Sequence, residues 1–266
     1  SARVFARTRT AVALADVQGR LELECVRFTY PGAARPAIDG IDLVIPANTV
    51  FGVVGPTGSG KSTLLNLFAR LFEAEGEIRL DGVPIRKLEL ATLRGALGYV
   101  PQDSFLFSDT WRGNVGFGAE HVLDDAAIAD LAQRACMTAE VATFPKGFDQ
   151  RIGERGVTLS GGQRQRTCIA RALARDPRVL VLDDSLSAVD TETESQLVRN
   201  LKSASHGRTV IIAAHRLSTV RHAEQIVVLE RGRVVQRGTH AELLAQSGWY
   251  AETWARQQTQ EEFAEL

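Results

Sequence analysis

The stretch Gly55-Pro56-Thr57-Gly58-Ser59-Gly60-Lys61-Ser62-Thr63 decides the fold of this chain of 266 residues. It fits the pattern G-x-x-x-x-G-K-[ST], a loop in which glycines let the backbone wrap closely around a phosphate group. The loop follows an almost wholly apolar run at 50–54, which predicts a buried strand, and it precedes apolar residues at helical spacing. The stretch therefore predicts a strand, a phosphate-binding loop (here the P-loop, 55–63) and a helix in direct succession.

The residue types of the P-loop suit a nucleoside triphosphate with a metal ion, and we predict ATP and Mg²⁺. The loop amides and the helix N-terminus supply directed N–H donors. Lys61 is predicted to meet the β- and γ-phosphates, and the Ser62 hydroxyl to ligate Mg²⁺. The dinucleotide-binding pattern G-x-G-x-x-G would start at Gly58 and Gly60 and would need a third glycine at position 63. Thr63 stands there, so the sequence does not fit that pattern.

A loop of this kind needs an acidic partner for the metal at the end of a buried strand. The apolar run at 179–182 ends in Asp183-Asp184. We predict that Asp183 holds Mg²⁺, through water, and that Asp184 lies beside the γ-phosphate, where a carboxylate orients or deprotonates attacking water. The alternative is a strand followed by an aspartate that caps a helix.

The pattern of apolar residues along the rest of the chain predicts an α/β fold. Beyond residue 160, helical stretches alternate with apolar strand-like runs at 179–182, 209–213 and 225–229, which favours a mainly parallel sheet flanked by helices. Alternation at 21–25 and a hairpin turn at 81–82 predict further short strands. Residues 105–158 contain a helical stretch at 124–136 and no clear buried strand, and they are predicted to form an inserted helical lobe.

Composition excludes several other classes of protein. The chain has 31 Lys+Arg against 32 Asp+Glu, so it has no overall basic field to attract nucleic acid, and no nucleic-acid partner is expected. Its 3 cysteines are far apart in sequence, which argues against a disulfide framework or a zinc site. No apolar run approaches the roughly 18–20 residues that a membrane helix needs.

One further motif resembles a known family. Leu159-Ser160-Gly161-Gly162-Gln163 (the signature turn) resembles the signature sequence of ATP-binding cassette (ABC) ATPases, one helix upstream of the strand at 179. A serine cap, two glycines and exposed amides at a helix start form a second anion site. The resemblance implies a head-to-tail dimer in which each nucleotide lies between the P-loop of one subunit and the signature turn of the other.

Other positions match the same family in order, from about residue 21 to 245. Tyr30 resembles the aromatic residue that stacks on adenine, and Gln102 the lid glutamine that senses metal and water. The segment 187–190 (the dimer-contact loop), which ends in Asp190, resembles the loop that contacts the other subunit. His215 resembles the switch histidine that contacts the γ-phosphate. The resemblance implies a P-loop NTPase core with an antiparallel β subdomain and an inserted helical subdomain.

The subclass is also indicated by resemblance. The lid loop, 102–110, resembles that of exporters, and Gly153-Glu154-Arg155-Gly156 resembles the exporter segment that touches the membrane domains. Arg151 stands two positions before Gly153, where the family has an acidic residue. The tail at 247–250 resembles bacterial multidrug-type half-transporters. The expected domains are a linker at 1–19 from an absent membrane domain, an ATPase domain at 20–250 with a helical subdomain at about 105–165, and a helical tail at 251–266. The expected location is the cytoplasmic face of the cell membrane.

The chain departs from the family at Asp184, where glutamate is usual. Losing one methylene withdraws the carboxylate, and a misplacement near 1 Å can cost on the order of 10²-fold in rate. With an intact signature turn, this predicts a heterodimer in which this chain has the poorer site. The alternatives are a homodimer with Asp184 as a working base, a regulatory module without turnover, and a cassette protein that acts on DNA or ribosomes.

Overall fold

Residues 16–153, 156–203 and 207–264, which the computed structural model describes, form two sheets and a series of helices. The strands are β1 (Leu21–Phe28), β2 (Ile38–Ile45), β3 (Val50–Val54), β4 (Glu75–Leu80), β5 (Val83–Pro84), β6 (Leu97–Val100), β7 (Val179–Asp183), β8 (Thr209–Ala213), β9 (Gln225–Glu230) and β10 (Arg233–Gly238). The helices are α1 (Lys61–Phe68), α2 (Leu90–Ala96), α3 (Trp111–Gly116), α4 (Asp125–Arg134), α5 (Thr138–Thr143), α6 (Gly161–Leu173), α7 (Thr191–Ser203), α8 (His240–Ala245) and α9 (Trp249–Ala264). Short 3₁₀ turns lie at Ile85–Lys87, Gly147–Asp149 and Ser218–Val220.

The larger sheet has the strand order β10-β9-β3-β8-β7-β6. Strands β9, β3, β8, β7 and β6 are parallel, and β10 is an antiparallel edge strand joined to β9. Every residue of β3, β7 and β8 is buried, as expected for strands covered on both faces. The predicted α/β fold with a mainly parallel sheet is therefore confirmed. The carboxyl ends of β3, β7 and β8 meet at one edge, where α/β folds bind ligands.

The side chains of these central strands alternate between two hydrophobic cores. Phe51, Val181 and Ile211 point to one face, where α1 and the smaller antiparallel sheet, β2-β1-β4-β5, cover them. Val54 and Leu182 point to the other face, where the helices after residue 110 cover them. The P-loop and the end of β7 are thus held between two packed layers.

The predicted helical lobe contains α3, α4 and α5 and packs on α6. Its largest buried side chain is Trp111, whose Nε1 donates to Thr167 Oγ1 on α6 at 3.2 Å. The tail helix α9 begins at Trp249 and buries Tyr250 completely in the core shared with the lobe.

Three sequence predictions fall partly on residues whose structure is not described. The first 15 residues of the predicted linker, Glu154 and Arg155 of the exporter-like segment, and the last two residues of the predicted tail lie outside the described ranges. Among the helices of those ranges, none is both long enough and apolar enough to cross a bilayer.

Candidate functional site

The P-loop joins the end of β3 to the start of α1. Gly55 has a φ of 147°, and a Cβ on it would lie 2.1 Å from the carbonyl oxygen of Leu229, so only glycine fits this turn. Lys61 is buried and its Nζ donates to the carbonyl oxygens of Gly55 at 2.8 Å and Pro56 at 3.1 Å. Its ammonium group therefore lies inside the curve of the loop, and burial lowers the pKa of Lys61.

The second half of the site is the end of β7. Ser62 Oγ donates to Asp183 Oδ1 at 2.9 Å, and Tyr99 Oη donates to Asp183 Oδ2 at 3.3 Å. The single Tyr99 hydroxyl hydrogen is shared with a second acceptor, Asn66 Oδ1, at 2.8 Å. Burial raises the pKa of Asp183, although both hydroxyl donors act against that rise. The structure thus brings the two predicted metal-binding residues Ser62 and Asp183 into direct contact.

These residues fit a magnesium nucleotide by their chemistry. The hydroxyl and carboxylate oxygens of Ser62 and Asp183 are hard donors of the kind that Mg²⁺ prefers, alongside water and phosphate oxygens. The buried Ser59 Oγ has no hydrogen-bond partner among the described residues and is a further polar atom within the loop. Within the described ranges no cluster of three or more His, Cys, Asp or Glu side chains could hold a metal.

Asp184, next along the chain, lies at the start of the loop after β7. Its φ is 46°, a left-handed conformation that is uncommon for residues other than glycine. Its amide donates to the carbonyl oxygen of Ala213 at 2.9 Å, and its Oδ1 lies 3.4 Å from the amide nitrogen of His215. The end of β8 therefore fixes the backbone of Asp184 and lies against its carboxylate.

His215 lies in the segment after β8, residues 214–217 (the switch loop), and its side chain is exposed. Arg216 within this loop donates through Nη2 to the carbonyl oxygens of Ser187 and Val189, which belong to the dimer-contact loop. The switch loop is therefore tied to the segment that follows Asp184. Gln102 is exposed in the lid loop, and no hydrogen bond links its side chain to Ser62 or Asp183.

Tyr30 lies beside the P-loop helix. Its hydroxyl is 3.1 Å from Thr63 Oγ1, and its ring packs edge-on against Phe28 and Phe72. The predicted adenine-stacking residue is thus adjacent to the last residue of the P-loop motif, and its ring is about one third exposed, at 36%.

The signature turn forms a capped helix start, as its sequence predicts. Ser160 Oγ accepts from the amide of Gln163 at 3.2 Å, and Gln163 Oε1 accepts from the amide of Ser160 at 3.0 Å, which is a capping box. A Cβ on Gly162 would lie 2.7 Å from the carbonyl oxygen of Ala188, so the turn packs tightly on the dimer-contact loop. In the described residues no hydrogen bond joins the signature turn to the P-loop.

Asp190 ends the dimer-contact loop and caps the next helix. Its Oδ1 accepts from the amide of Thr193 at 2.9 Å, and this hydrogen bond lowers the pKa of Asp190.

The exporter-like segments border a groove of about 570 Å³. Phe105, Phe107 and Leu159 contribute apolar surface to it, and Arg164 contributes a positive charge. Arg151 donates through Nη2 to the carbonyl oxygen of Ser108 at 3.1 Å. This hydrogen bond links the segment before Gly153 to the lid loop. This groove lies next to the signature turn.

Sequence reasoning missed three polar residues that support the site. Gln165, only 6% exposed, connects α6 to the dimer-contact loop through Ser187 Oγ at 3.2 Å and the amide of Ala188 at 3.0 Å. Tyr99 is an ordinary strand residue in sequence, and Gln257 is one of several glutamines in the tail. One sequence signal was available for Gln165: it lies three residues before Cys168 and four before Ile169, at helical spacing from apolar residues that are buried on α6.

Comparison with known proteins finds a large group of curated proteins that are similar to this chain. The family described as ABC transporter matches residues 38–187. The Multidrug resistance-like ATP-binding protein MdlA of Escherichia coli is 44% identical over 242 residues, which are 91% of this chain and 41% of that protein. An ATP-dependent lipid A-core flippase of Cupriavidus pinatubonensis is 46% identical over 243 residues, 90% of this chain and 41% of that protein.

A solved structure of an ABC exporter is also similar to this chain. The structure of a bacterial Atm1-family ABC exporter with ATP bound superposes with a TM-score of 0.89 at 38% identity. It covers 95% of this chain, whereas the match covers 44% of that exporter chain. The chain thus spans about two fifths of the length of the curated relatives that it matches.

Proposed function

Because this chain belongs to the ABC transporter family, whose ATP-binding domains are ATPases, we propose that it is the nucleotide-binding domain of an exporter of the multidrug or lipid-flippase type. ATP hydrolysis by this domain drives a substrate across a membrane. The observation that carries the proposal is the contact between Ser62 of the P-loop and Asp183 at the end of β7, with the Lys61 ammonium inside the loop.

The residues of the site divide the chemistry among them. The P-loop amides and Lys61 hold the phosphates of ATP, while Ser62 and Asp183 hold Mg²⁺. When bound, Mg²⁺ neutralises negative charge on the phosphate oxygens. Asp184 orients the attacking water and accepts its proton, because it follows the metal-binding Asp183 directly. His215 lies across from Asp184 and stabilises the γ-phosphate end of the site.

The remaining site residues act at the edges of the nucleotide. Tyr30 stacks on the adenine ring, and Gln102 in the lid loop would be a further oxygen donor to Mg²⁺. The signature turn of a second subunit, equivalent to Ser160–Gln163 here, completes the site by offering its capped helix start to the γ-phosphate. Asp190 and its loop contact that second subunit. The tight packing of Gly162 on Ala188 supports this arrangement, since it links the signature turn to the dimer-contact loop.

The partners and placement follow from the same family. The ATPase domain spans residues 20–250, with a helical subdomain at about 105–165, a linker at 1–19 and a tail at 251–266. It binds the membrane-spanning domain of its transporter at the cytoplasmic face, through the groove beside Phe105 and Phe107. The relatives, of which the chain covers about two fifths, support a longer transporter chain.

We propose further that the second subunit is a different chain. Asp184 places its carboxylate one methylene closer to the backbone than glutamate would, and its Oδ1 lies against the amide of His215. A partner with glutamate at this position would have the faster site, and this chain would lend it an intact signature turn. A homodimer in which Asp184 serves as the base is the competing arrangement.

Phosphate release from Mg-ATP tests the proposed hydrolysis, and ATP binding tests the site that supports it. We expect the purified chain to bind ATP and Lys61→Ala to lose ATP binding by at least tenfold, because the ammonium group is the charged donor inside the loop. Lys87→Ala, at an exposed lysine, is the matched control. Absence of ATP binding by the unaltered chain would contradict the proposal.

A further inference from the structure

The tail helix α9 reaches the switch loop through one side chain. Gln257 Nε2 donates to the carbonyl oxygen of His215 at 2.9 Å, and Gln257 Oε1 accepts from the amide of Leu217 at 2.9 Å. One side-chain amide thus bridges two backbone groups on either side of Arg216. The partners fix the orientation of the amide, because a carbonyl oxygen only accepts and a peptide N–H only donates.

The position of Gln257 on α9 is determined by buried neighbours. Tyr250 and Thr253 are buried on the same face, at spacings of seven and four residues before Gln257. The Tyr250 hydroxyl is 2.8 Å from His240 Nδ1, and the His240 ring packs against Trp254 at 4.5 Å between centroids. The tail helix is therefore anchored at its first turns, and the next turn presents Gln257 to the switch loop.

The switch loop is held from two other sides as well. Leu217 is fully buried in the core, and Arg216 bonds to the dimer-contact loop. His215 itself has an exposed side chain, and its amide approaches Asp184 only at 3.4 Å, a weak contact. The two bonds at 2.9 Å from Gln257 are thus the shortest hydrogen bonds that the structure gives to the backbone of residues 215–217.

From this geometry we propose that Gln257 is a positioning residue for ATP hydrolysis. It holds the backbone around His215 so that the imidazole meets the γ-phosphate in the correct place. The tail helix is then a structural part of the nucleotide site, although Gln257 lies 42 residues after His215 in sequence. The role rests on the proposed function, because it presumes that His215 acts on the nucleotide.

Gln257→Met tests the role, since methionine has a similar length and neither hydrogen-bonding group. The control is Gln260→Met at an exposed position of the same helix. Both substitutions are made in the unaltered 266-residue chain and in a chain that also has Asp184→Glu, so that turnover is measurable in at least one background. We expect Gln257→Met to lower kcat about tenfold, with KM for ATP changed by less than about twofold, because loss of positioning acts on the transition state.

A spectroscopic measurement separates positioning from general damage. In chain labelled with ¹³C-histidine, the ring signal of His215, assigned with His215→Asn, is expected to move in Gln257→Met and to stay in place in Gln260→Met. Tryptophan emission, which includes Trp254 at the anchor of α9, is expected to stay unchanged in both variants. Unchanged emission shows that the tail helix is still docked.

Two results would overturn the positioning role. One is Gln257→Met with the kcat and His215 signal of the unaltered chain. The other is a loss of kcat accompanied by altered tryptophan emission and an equal loss of ATP affinity, which would mean that α9 had detached. If neither background hydrolyses ATP, the proposed function fails instead, and the His215 signal, which needs no nucleotide, still decides whether Gln257 positions the switch loop.

Discussion

Ser62 Oγ lies 2.9 Å from Asp183 Oδ1, although 121 residues separate the two in sequence. The contact joins the first turn of α1 to the last residue of β7, and the parallel sheet brings both to the same edge. The hydroxyl and the carboxylate therefore already lie together as the two oxygen groups that we propose to bind Mg²⁺.

Removal of the Ser62 hydroxyl is expected to weaken the use of magnesium. Ser62→Ala leaves Asp183 with Tyr99 as its remaining hydroxyl donor and deletes one proposed metal ligand. We expect the Mg²⁺ concentration for half-maximal ATP hydrolysis to rise at least tenfold, since even supporting contacts of metal ligands are worth about 10–100-fold in affinity. Phosphate release measured across a magnesium titration checks this.

The control for that titration is Ser195→Ala, at a half-buried serine of α7. It is expected to keep the magnesium dependence of the unaltered chain. The same magnesium midpoint for Ser62→Ala and the unaltered chain would show that Ser62 is no metal ligand.

Asp184→Glu is expected to raise the rate of ATP hydrolysis about tenfold or more. The backbone of Asp184, which follows β7, is held by its hydrogen bond to Ala213 at the end of β8, so the longer side chain moves the carboxylate outward from it. The rate should depend on the square of chain concentration if two chains form the site. Phosphate release over a range of chain concentrations measures both quantities. Asp130→Glu, at an exposed position on α4, is the control.

The two outcomes of that substitution have different meanings for the partner. A nearly silent unaltered chain that gains activity with Asp184→Glu supports pairing with a different, competent subunit. An unaltered chain that already turns over with second-order dependence makes Asp184 a working base and contradicts the heterodimer.

The sequence predicted much of this architecture because its strongest signals are local. The apolar runs at β3 and β7, the glycines of the P-loop and the serine cap at Ser160 each determine the conformation of their own segment. Parallel order then follows from the alternation of strands and helices. The part of the fold that is confirmed was therefore predictable from short, local patterns of residue types.

The contacts of Gln165 and Gln257 could not be predicted in the same way. Each depends on where a loop from another part of the chain lies, and a glutamine on a helix surface looks the same in sequence whether or not it has such a loop beside it. The left-handed Cys25, at the irregularity in the pairing of β1 with β2 and β4, is a further example. The bulge shifts the alternation by one residue: Val26 and Phe28 are buried after it, and Cys25, which continues the spacing of Leu21 and Leu23 in sequence, is exposed.

Gln165→Leu is expected to destabilise the chain by about 0.5–1.5 kcal/mol, because the part-buried hydrogen bond that Gln165 Oε1 accepts from the amide of Ala188 would be lost. The loop that carries Ala188 packs on Gly162 of the signature turn, so the substitution loosens both. Urea unfolding measures the loss. Gln133→Leu, at an exposed glutamine of α4, should change stability by less than about 0.5 kcal/mol, and an equal loss in both variants would contradict a special role for Gln165.

Glu194 on α7 is expected to make stability depend on pH. It is buried beside the switch loop, its Oε2 lacks a hydrogen-bond partner among the described residues, and Arg216 Nη1 is 3.9 Å away. Burial raises the pKa of Glu194 above its usual 4.5, although the Thr219 hydroxyl, Arg216 and Arg221 act against the rise and Asp190 adds to it.

The sign of that dependence follows from the raised pKa. The unfolded chain ionises Glu194 at lower pH than the folded chain does, so the contribution of this group is fully present below about pH 4 and is lost as pH rises through the folded pKa. Glu194→Gln cannot ionise and should therefore gain stability relative to the unaltered chain between about pH 4 and pH 7. Urea unfolding at several pH values measures the difference, with Glu192→Gln, exposed in the first turn of the same helix, as the control. A difference between Glu194→Gln and the unaltered chain that stays constant with pH would show that the carboxylate is as well stabilised in the fold as in water.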